Sequence, residues 1–278
     1  MTRAAALDFL DGALVPRLCA LTWLGPGITG DGSADARVVI ASRLEVDLAF
    51  VEEGPSAPAA IPLLHDADVA AAWVIDGPFG LASAREGWSA LARAVVVGED
   101  DAIERVCSSL GALVVSVREA VAAGADAVVI ADDVASDSGW LYPEGAVRRV
   151  LATCVAEAVA TAREAGMRAL LHSDGDIAAL YADAADAGFS GVHIATGDGL
   201  KDAAAARLAR SAGLAVVGGL AARDLEGGAC GVAPEIERLH ASGEIMLSDD
   251  GGLVSAHAIE ALEKTFAAAR SSGSERGR

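Results

Sequence analysis

The chain is 278 residues long, 53% hydrophobic and 4% aromatic, so its apolar content is mostly aliphatic and ample for one large α/β domain or two small ones. Its formal net charge of −19 argues against a nucleic-acid partner and an anionic membrane surface, and disfavours a polyanionic substrate at long range. Four cysteines, Cys19, Cys107, Cys154 and Cys230, are scattered without CxxC spacing and read as reduced thiols of a cytoplasmic protein.

From the N-terminus, MTRAAALDFLDGALVPRL carries acids inside its short apolar stretch and lacks a signal-peptide core. No apolar run reaches the ~18–20 residues that a membrane span needs. Eight short apolar runs follow: Leu18 to Trp23, Val46 to Glu52, Ala71 to Asp76, Asp126 to Asp132, Arg168 to Ser173, Gly191 to Thr196, Leu214 to Gly219 and Glu244 to Asp249. Their Val, Ile and Leu content with little polar alternation suits parallel strands covered on both faces. Between them, residues 99–124 open with acids and close on Gly124, and residues 143–166 open on Pro143 and Glu144 and close on Gly166, as single helices would. DIAALYADAADAG and AHAIEALEKTFAAARSS follow the same logic. The connection over 53–70, with three prolines, is the weakest helical unit. The pattern predicts a single (β/α)8 TIM-type barrel over residues 1–270 and a frayed polar tail over 271–278. A doubly wound sheet is the alternative, but WLGPGITGDG lacks the GxGxxG order such a fold uses after its first strand.

A barrel builds its active site where its strands end. Those ends carry Glu52 and Glu53, Asp76, Asp132 and Asp133, His172 and Asp174, His193 with Thr196, and Ser248, Asp249 and Asp250. Acids gathered at one rim repel unless a cation or shared protons relieve them. Helix capping explains Asp198, and is open for Asp176 and Asp249, but does not explain His172. Side chains alternate along a strand, so His172 and Asp174 share a face with Leu170 below them. Two readings stay open: both residues coordinate a divalent metal, or Asp174 orients a neutral catalytic or structural histidine. Asp132 and Asp133 face opposite sides, so one points into the mouth as a proton-transfer group or further ligand and the other binds backbone. Asp76 is a turn residue or a substrate contact, and His193 a satisfied core histidine or a substrate contact. Trp23 and Trp73 line a pocket or fill the barrel. Gly218 and Gly219 allow close approach of a phosphate, with Arg223 the one nearby cation, and Cys230 is a loop thiol or a displaced soft ligand.

Several motifs occur in an order that resembles the uroporphyrinogen decarboxylase superfamily, over about residues 36–270. They are VIDGPFGLA, GADAVVIADDVASDSGWLYPE, AGMRALLHSDGDI, VVGGLAARDL and IMLSDDGGLVSAHAIEAL. The resemblance implies one of two chemistries. A cofactorless decarboxylase holds the carboxylates of a porphyrinogen with N-terminal arginines; no MRQAGRY-like segment occurs here, and LTWLGPGITG offers no equivalent. The methyltransferase-like branch uses zinc and a corrinoid. Its thiol-acting members bind zinc through a histidine, a cysteine two residues later and a cysteine after the last strand, positions that fall on His172, Asp174 and Asp250. Two aspartates in place of two thiolates make the site harder and a better Lewis acid. The resemblance therefore implies transfer of a methyl group from a small methoxylated or methylated substrate to a corrinoid protein, with zinc or another divalent metal on His172, Asp174 and Asp250. Asp132 and Asp133 are the catalytic candidates, and Asp76, His193 and Trp23 the substrate-binding ones. No DxHxxG signature is present, so the corrinoid would come on another chain. A decarboxylase-type lyase and a non-catalytic small-molecule-binding barrel are the alternatives.

Overall fold

Among the described residues ten strands form, all short: β1 (Ala20–Leu21), β2 (Leu48–Glu52), β3 (Ala70–Asp76), β4 (Ala127–Ala131), β5 (Ala135–Ser136), β6 (Gly139–Trp140), β7 (Arg168–Asp174), β8 (Gly191–Ala195), β9 (Ala215–Leu220) and β10 (Met246–Asp249). They come from a computed structural model that describes residues 2–25, 28, 34–98, 101–136 and 138–271. The tail expected over 271–278 lies outside the described residues except for Ser271, which ends the last helix. Eight strands pair in parallel in the order β1-β2-β3-β4-β7-β8-β9-β10. The ends of that sheet meet: Cys19 bridges Leu247 in parallel, and the Leu247 N–H donates to the Leu18 carbonyl at 2.9 Å. The result is a (β/α)8 barrel.

The pleat sorts side chains into two cores. Leu48 and Phe50, Ala72 and Val74, Ala127 and Val129, Leu170, Val217 and Met246 fill the interior. The alternate residues, among them Trp73, Ile75, Val128, Ile130, Leu171 and Val192, pack outward against the helices. Trp73 thus belongs to the strand–helix layer and not to a pocket wall. The first helix, Arg3–Leu10, places Ala6, Phe9 and Leu10 in the interior cluster and so plugs the end of the barrel where the strands begin. Arg3 secures it through a bidentate contact to Asp126, at 2.6 Å from Nη2 to Oδ1.

Two of the helical expectations are corrected by the structure. Residues 53–70, the weakest unit, form the helix Ala57–Asp66, which keeps Pro58 in its first turn and carries Pro62 in its interior. Residues 99–124 are two helices, Ala102–Cys107 and Leu110–Ala123, because the chain breaks at Ser108 and Ser109. By length and composition the stretch Ala102–Ala123 is apolar enough to cross a membrane, contrary to the reading of the runs above, yet it packs Val106, Leu113, Val117 and Ala120 into the outer core. The helix over 143–166 is interrupted by a π-helical turn, Leu151–Val155, between Glu144–Val150 and Ala156–Glu164. Finally, the Ser/Gly loop after β4 folds into the β5–β6 hairpin, which strand patterning did not foresee.

Candidate metal centre at the barrel mouth

At the ends of four neighbouring strands stand Glu52, Asp76, Asp133 and Asp174, two residues beyond Phe50, Val74, Ala131 and His172. The pleat aims all four at the mouth. Beneath them, His172 and His193 face each other in register across β7 and β8. Donor atoms of Asp133, His172 and Asp174 lie within 4.8 Å of one another. Asp133 is drawn to β7 because its Oδ1 accepts the Asp174 N–H at 3.2 Å.

A chain of hydrogen bonds fixes the state of His172. His193 Nε2 lies 2.8 Å from the Asp249 carbonyl, which only accepts, so Nε2 carries the proton. Both rings are buried, His193 completely. Burial pushes His172 down to about 4; His193 is held well below the usual imidazole value by burial and by the neighbouring His172. With His193 neutral, its Nδ1 is an acceptor, and His172 Nδ1 donates to it at 2.8 Å. His172 Nε2 is therefore left as a bare lone pair. It points to Asp174 Oδ1 at 3.7 Å, also an acceptor. Trp23, with its ring 4.6 Å from His172 and 5.4 Å from His193, and Phe50, 5.3 Å from His193, box the pair in.

Asp132 takes the other side of its strand. Its carboxylate accepts the N–H groups of Phe79 (3.1 Å) and Gly80 (2.9 Å) and caps the helix Pro78–Glu86. Burial raises it to about 7 despite those two bonds. Gly77 sits so close that a Cβ there would lie 2.3 Å from Asp132 Cβ, and the Gly77 N–H donates to the Ala131 carbonyl at 2.7 Å. The GPF turn and the ADD strand end are thus one locked unit. Asp76 stands at the rim, raised above the ordinary carboxyl value by burial and then by the charge of Asp133. Asp250 is held differently: its Oδ1 accepts the Ala222 N–H at 2.7 Å, and it is not among the converging donors. His193 lies behind His172 and lines neither mouth cavity. Asp249 is buried, accepting from Thr22 Oγ1 at 2.5 Å and the Gly252 N–H at 2.8 Å, and so is a structural clamp more than a helix cap. Cys230 is exposed on a small cavity beside Gly219 and Ala233.

The mouth has two lobes that share Asp133, Asp174, Leu141 and Gly251. One, of about 640 Å³, is walled by Trp23, Phe79, Trp88 and Tyr142, with Asp76 and His172. The other, of about 520 Å³, carries Ser136 and Ser138 from the hairpin, with Arg223 and Asp250. Trp88 carries no strand or motif signal that would have marked it as lining, and Tyr142, although it lies in the quoted motif ending LYPE, was not singled out. Arg37 was missed too, since an arginine on a helix reads as a surface residue. Here it is buried, with Nη1 donating to the Phe50 carbonyl at 2.6 Å and Nη2 to Glu52 Oε2 at 3.1 Å.

Fold and site together define a parallel (β/α)8 barrel with a histidine–carboxylate donor set at its mouth. A sequence model of the uroporphyrinogen decarboxylase (URO-D) family matches residues 48–249, and the chain belongs to that family. Among solved structures, it is similar to a methyltransferase from Methanosarcina mazei, with a TM-score of 0.70 at 16% identity over 96% of this chain and 98% of that one. An L-ribulose 3-epimerase follows at 0.53 and 14% identity, over 94% and 99% of the two chains. A tryptophan synthase from M. tuberculosis gives 0.52 and 14% identity, over 97% and 98%. At these identities the likeness is one of fold. No curated protein sequence matches the chain.

Proposed function

We propose that the protein is a metal-dependent methyltransferase of the URO-D family, which takes a methyl group from a small methoxylated or methylated molecule and passes it to a corrinoid carried by a separate protein. One observation carries the reading: the His172 Nε2 lone pair and Asp174 Oδ1 face each other at 3.7 Å with Asp133 beside them. Acceptors so placed repel unless a cation or a proton lies between them, and burial disfavours the protonated imidazole. One nitrogen and two carboxylates suit zinc or another divalent ion. Asp133, already converged, takes the third ligand position that the family motif gives to Asp250.

When bound, the metal supplies Lewis acidity toward an ether or hydroxyl oxygen. The chain's own residues do the rest. His193 holds the His172 tautomer that leaves Nε2 free to bind. Trp23, Phe79, Trp88 and Tyr142 seat the apolar part of the donor and exclude water from it. Asp76, with its raised pKa, stands where it can deliver a proton to the oxygen that loses its methyl group. The second lobe, on the far side of Asp133 and Asp174, leaves the acceptor a separate approach. The methyltransferase of similar fold supports the reaction class. The decarboxylase alternative is less well served, because among the described lining residues of both lobes Arg223 is the one cation available to a polycarboxylate.

Elemental analysis of protein purified without chelator, beside the His172→Ala variant, tests this directly. About one divalent metal per chain, lost in the variant, is the expected result. No metal in either sample after supplementation overturns it. Methyl transfer from a methoxylated aromatic to a free corrinoid then tests the reaction class.

A further inference from the structure

A second pair of reactive groups lies away from the mouth, on the helical shell. Cys107 ends the helix Ala102–Cys107, and Cys154 sits in the π-helical turn Leu151–Val155. Although 47 residues separate them in sequence, their sulfurs are 2.9 Å apart, closer than non-bonded sulfurs normally pack. A disulfide at ~2.05 Å needs only a further ~1 Å of approach. The two thiols differ in access: Cys107 is half-buried, while Cys154 is buried and burial raises its pKa. Cys107 is thus the sulfur that a dissolved reagent reaches first, and Cys154 the one that resolves.

Cys154 is presented to Cys107 from the π turn. A wider turn carries an extra residue and re-aims the side chains in it, and Cys154 Sγ lies 3.4 Å from the Val150 carbonyl while Cys107 Sγ also contacts Thr153 Oγ1 at 3.4 Å. From the same turn, Leu151 and Val155 line the small apolar space behind Asp132 and Ser173. The pair is therefore one packing layer from the ends of β4 and β7.

We propose that Cys107 and Cys154 form an oxidative modification site that closes reversibly to a disulfide by exchange with a low-molecular-weight disulfide. The Cys107 thiol gives up its proton and attacks one sulfur of the reagent, whose S–S bond breaks and whose other half leaves as a thiol carrying a proton. Cys154, deprotonated in turn, attacks Cys107 Sγ in this mixed disulfide and releases the second half as a thiol. Two electrons pass from the protein to the reagent, which is reduced to two thiols. Excess dithiol reverses the reaction.

The test uses the full-length chain with Cys230→Ser, which removes the exposed thiol so that it does not compete. Oxidised glutathione is added and thiols are counted in denaturant. The three remaining thiols should fall to one, the mass should drop by two hydrogens, and digestion should yield a single cross-linked pair containing Cys107 and Cys154, all restored by dithiothreitol. Adding Cys154→Ser should stop the reaction at a glutathione adduct on Cys107. Three thiols unchanged in the Cys230→Ser protein overturn the proposal. So does a stable glutathione adduct on Cys107 with no cross-link while Cys154 is present.

Discussion

At the residue scale, the proposed metal site turns on the His172–His193 pair. Replacing His193 with Phe removes the acceptor for His172 Nδ1–H and frees the ring to turn. Metal affinity, measured by chelator competition, should fall roughly 10–100-fold; an unchanged affinity would show that the relay does not set the tautomer. Asp132 offers a separate test through pH. Burial raises it to about 7 from the ordinary carboxyl value of 3.8, so between those values the folded protein holds a proton that the unfolded chain has released. Its contribution to stability is full at low pH and is lost as pH rises through that window. The Asp132→Asn variant mimics the protonated form. Relative to wild type, its unfolding free energy in urea should therefore improve by roughly 1 kcal/mol per pH unit from about pH 4 to 7. A flat difference would mean that the carboxylate is ionised throughout. Alternation along the strand made the shared face of His172 and Asp174 legible in the sequence. It also made clear that Asp132 and Asp133 diverge, but not which of them turns inward, since that depends on the register against β3 and β7. A histidine within an apolar strand looks the same whether it supports a ligand or touches one, so the place of His193 was not legible.

At the element scale, the strands were the readable part and the segments after them were not. Apolar runs report burial locally, whereas the β5–β6 hairpin forms only because β7 offers it a surface. Ser173 Oγ accepts the Val134 N–H at 3.0 Å, and Gly175, at φ +78°, turns beneath the hairpin so closely that a Cβ there would lie 2.5 Å from the Ser136 carbonyl oxygen. Gly175→Ala should therefore destabilise the protein by about 2 kcal/mol or more, from strain at positive φ and from the clash. Hydrogen exchange at the Ala135 and Trp140 amides should quicken, because the hairpin must lift to make room. Normal stability with slow exchange would show that the loop accommodates the methyl group. The π turn was hidden for a related reason: LATCV has ordinary helix-forming composition, and the wider turn answers to packing.

At the scale of the whole molecule, the barrel separates stability from chemistry along its axis. The Arg3–Leu10 helix closes the end opposite the mouth, with Phe9 fully buried. Phe9→Ala should cost about 3–5 kcal/mol, a fall in Tm of roughly 6–15 °C. Metal content at 20 °C should be unchanged in that variant, and its loss would show that the two ends are coupled. Asp126, which anchors the plug through Arg3, is held below the ordinary carboxyl value by that guanidinium and by the Ala71 N–H. Its contribution is present above the unfolded pKa and is lost as the medium turns acid.

The sequence alone determined the eight barrel strands, the barrel class, the family motifs and the face shared by His172 and Asp174. All of these follow from local periodicity and from short-range order along the chain. Only the tertiary structure decided which acids converge. Asp133 joins His172 and Asp174 because the Asp174 amide draws it across from the neighbouring strand, while Asp250 is held at the Ala222 N–H. The lone pair on His172 is likewise decided at a distance, since it depends on the carbonyl of Asp249, 56 residues beyond His193, and barrel closure alone brings that acceptor into reach.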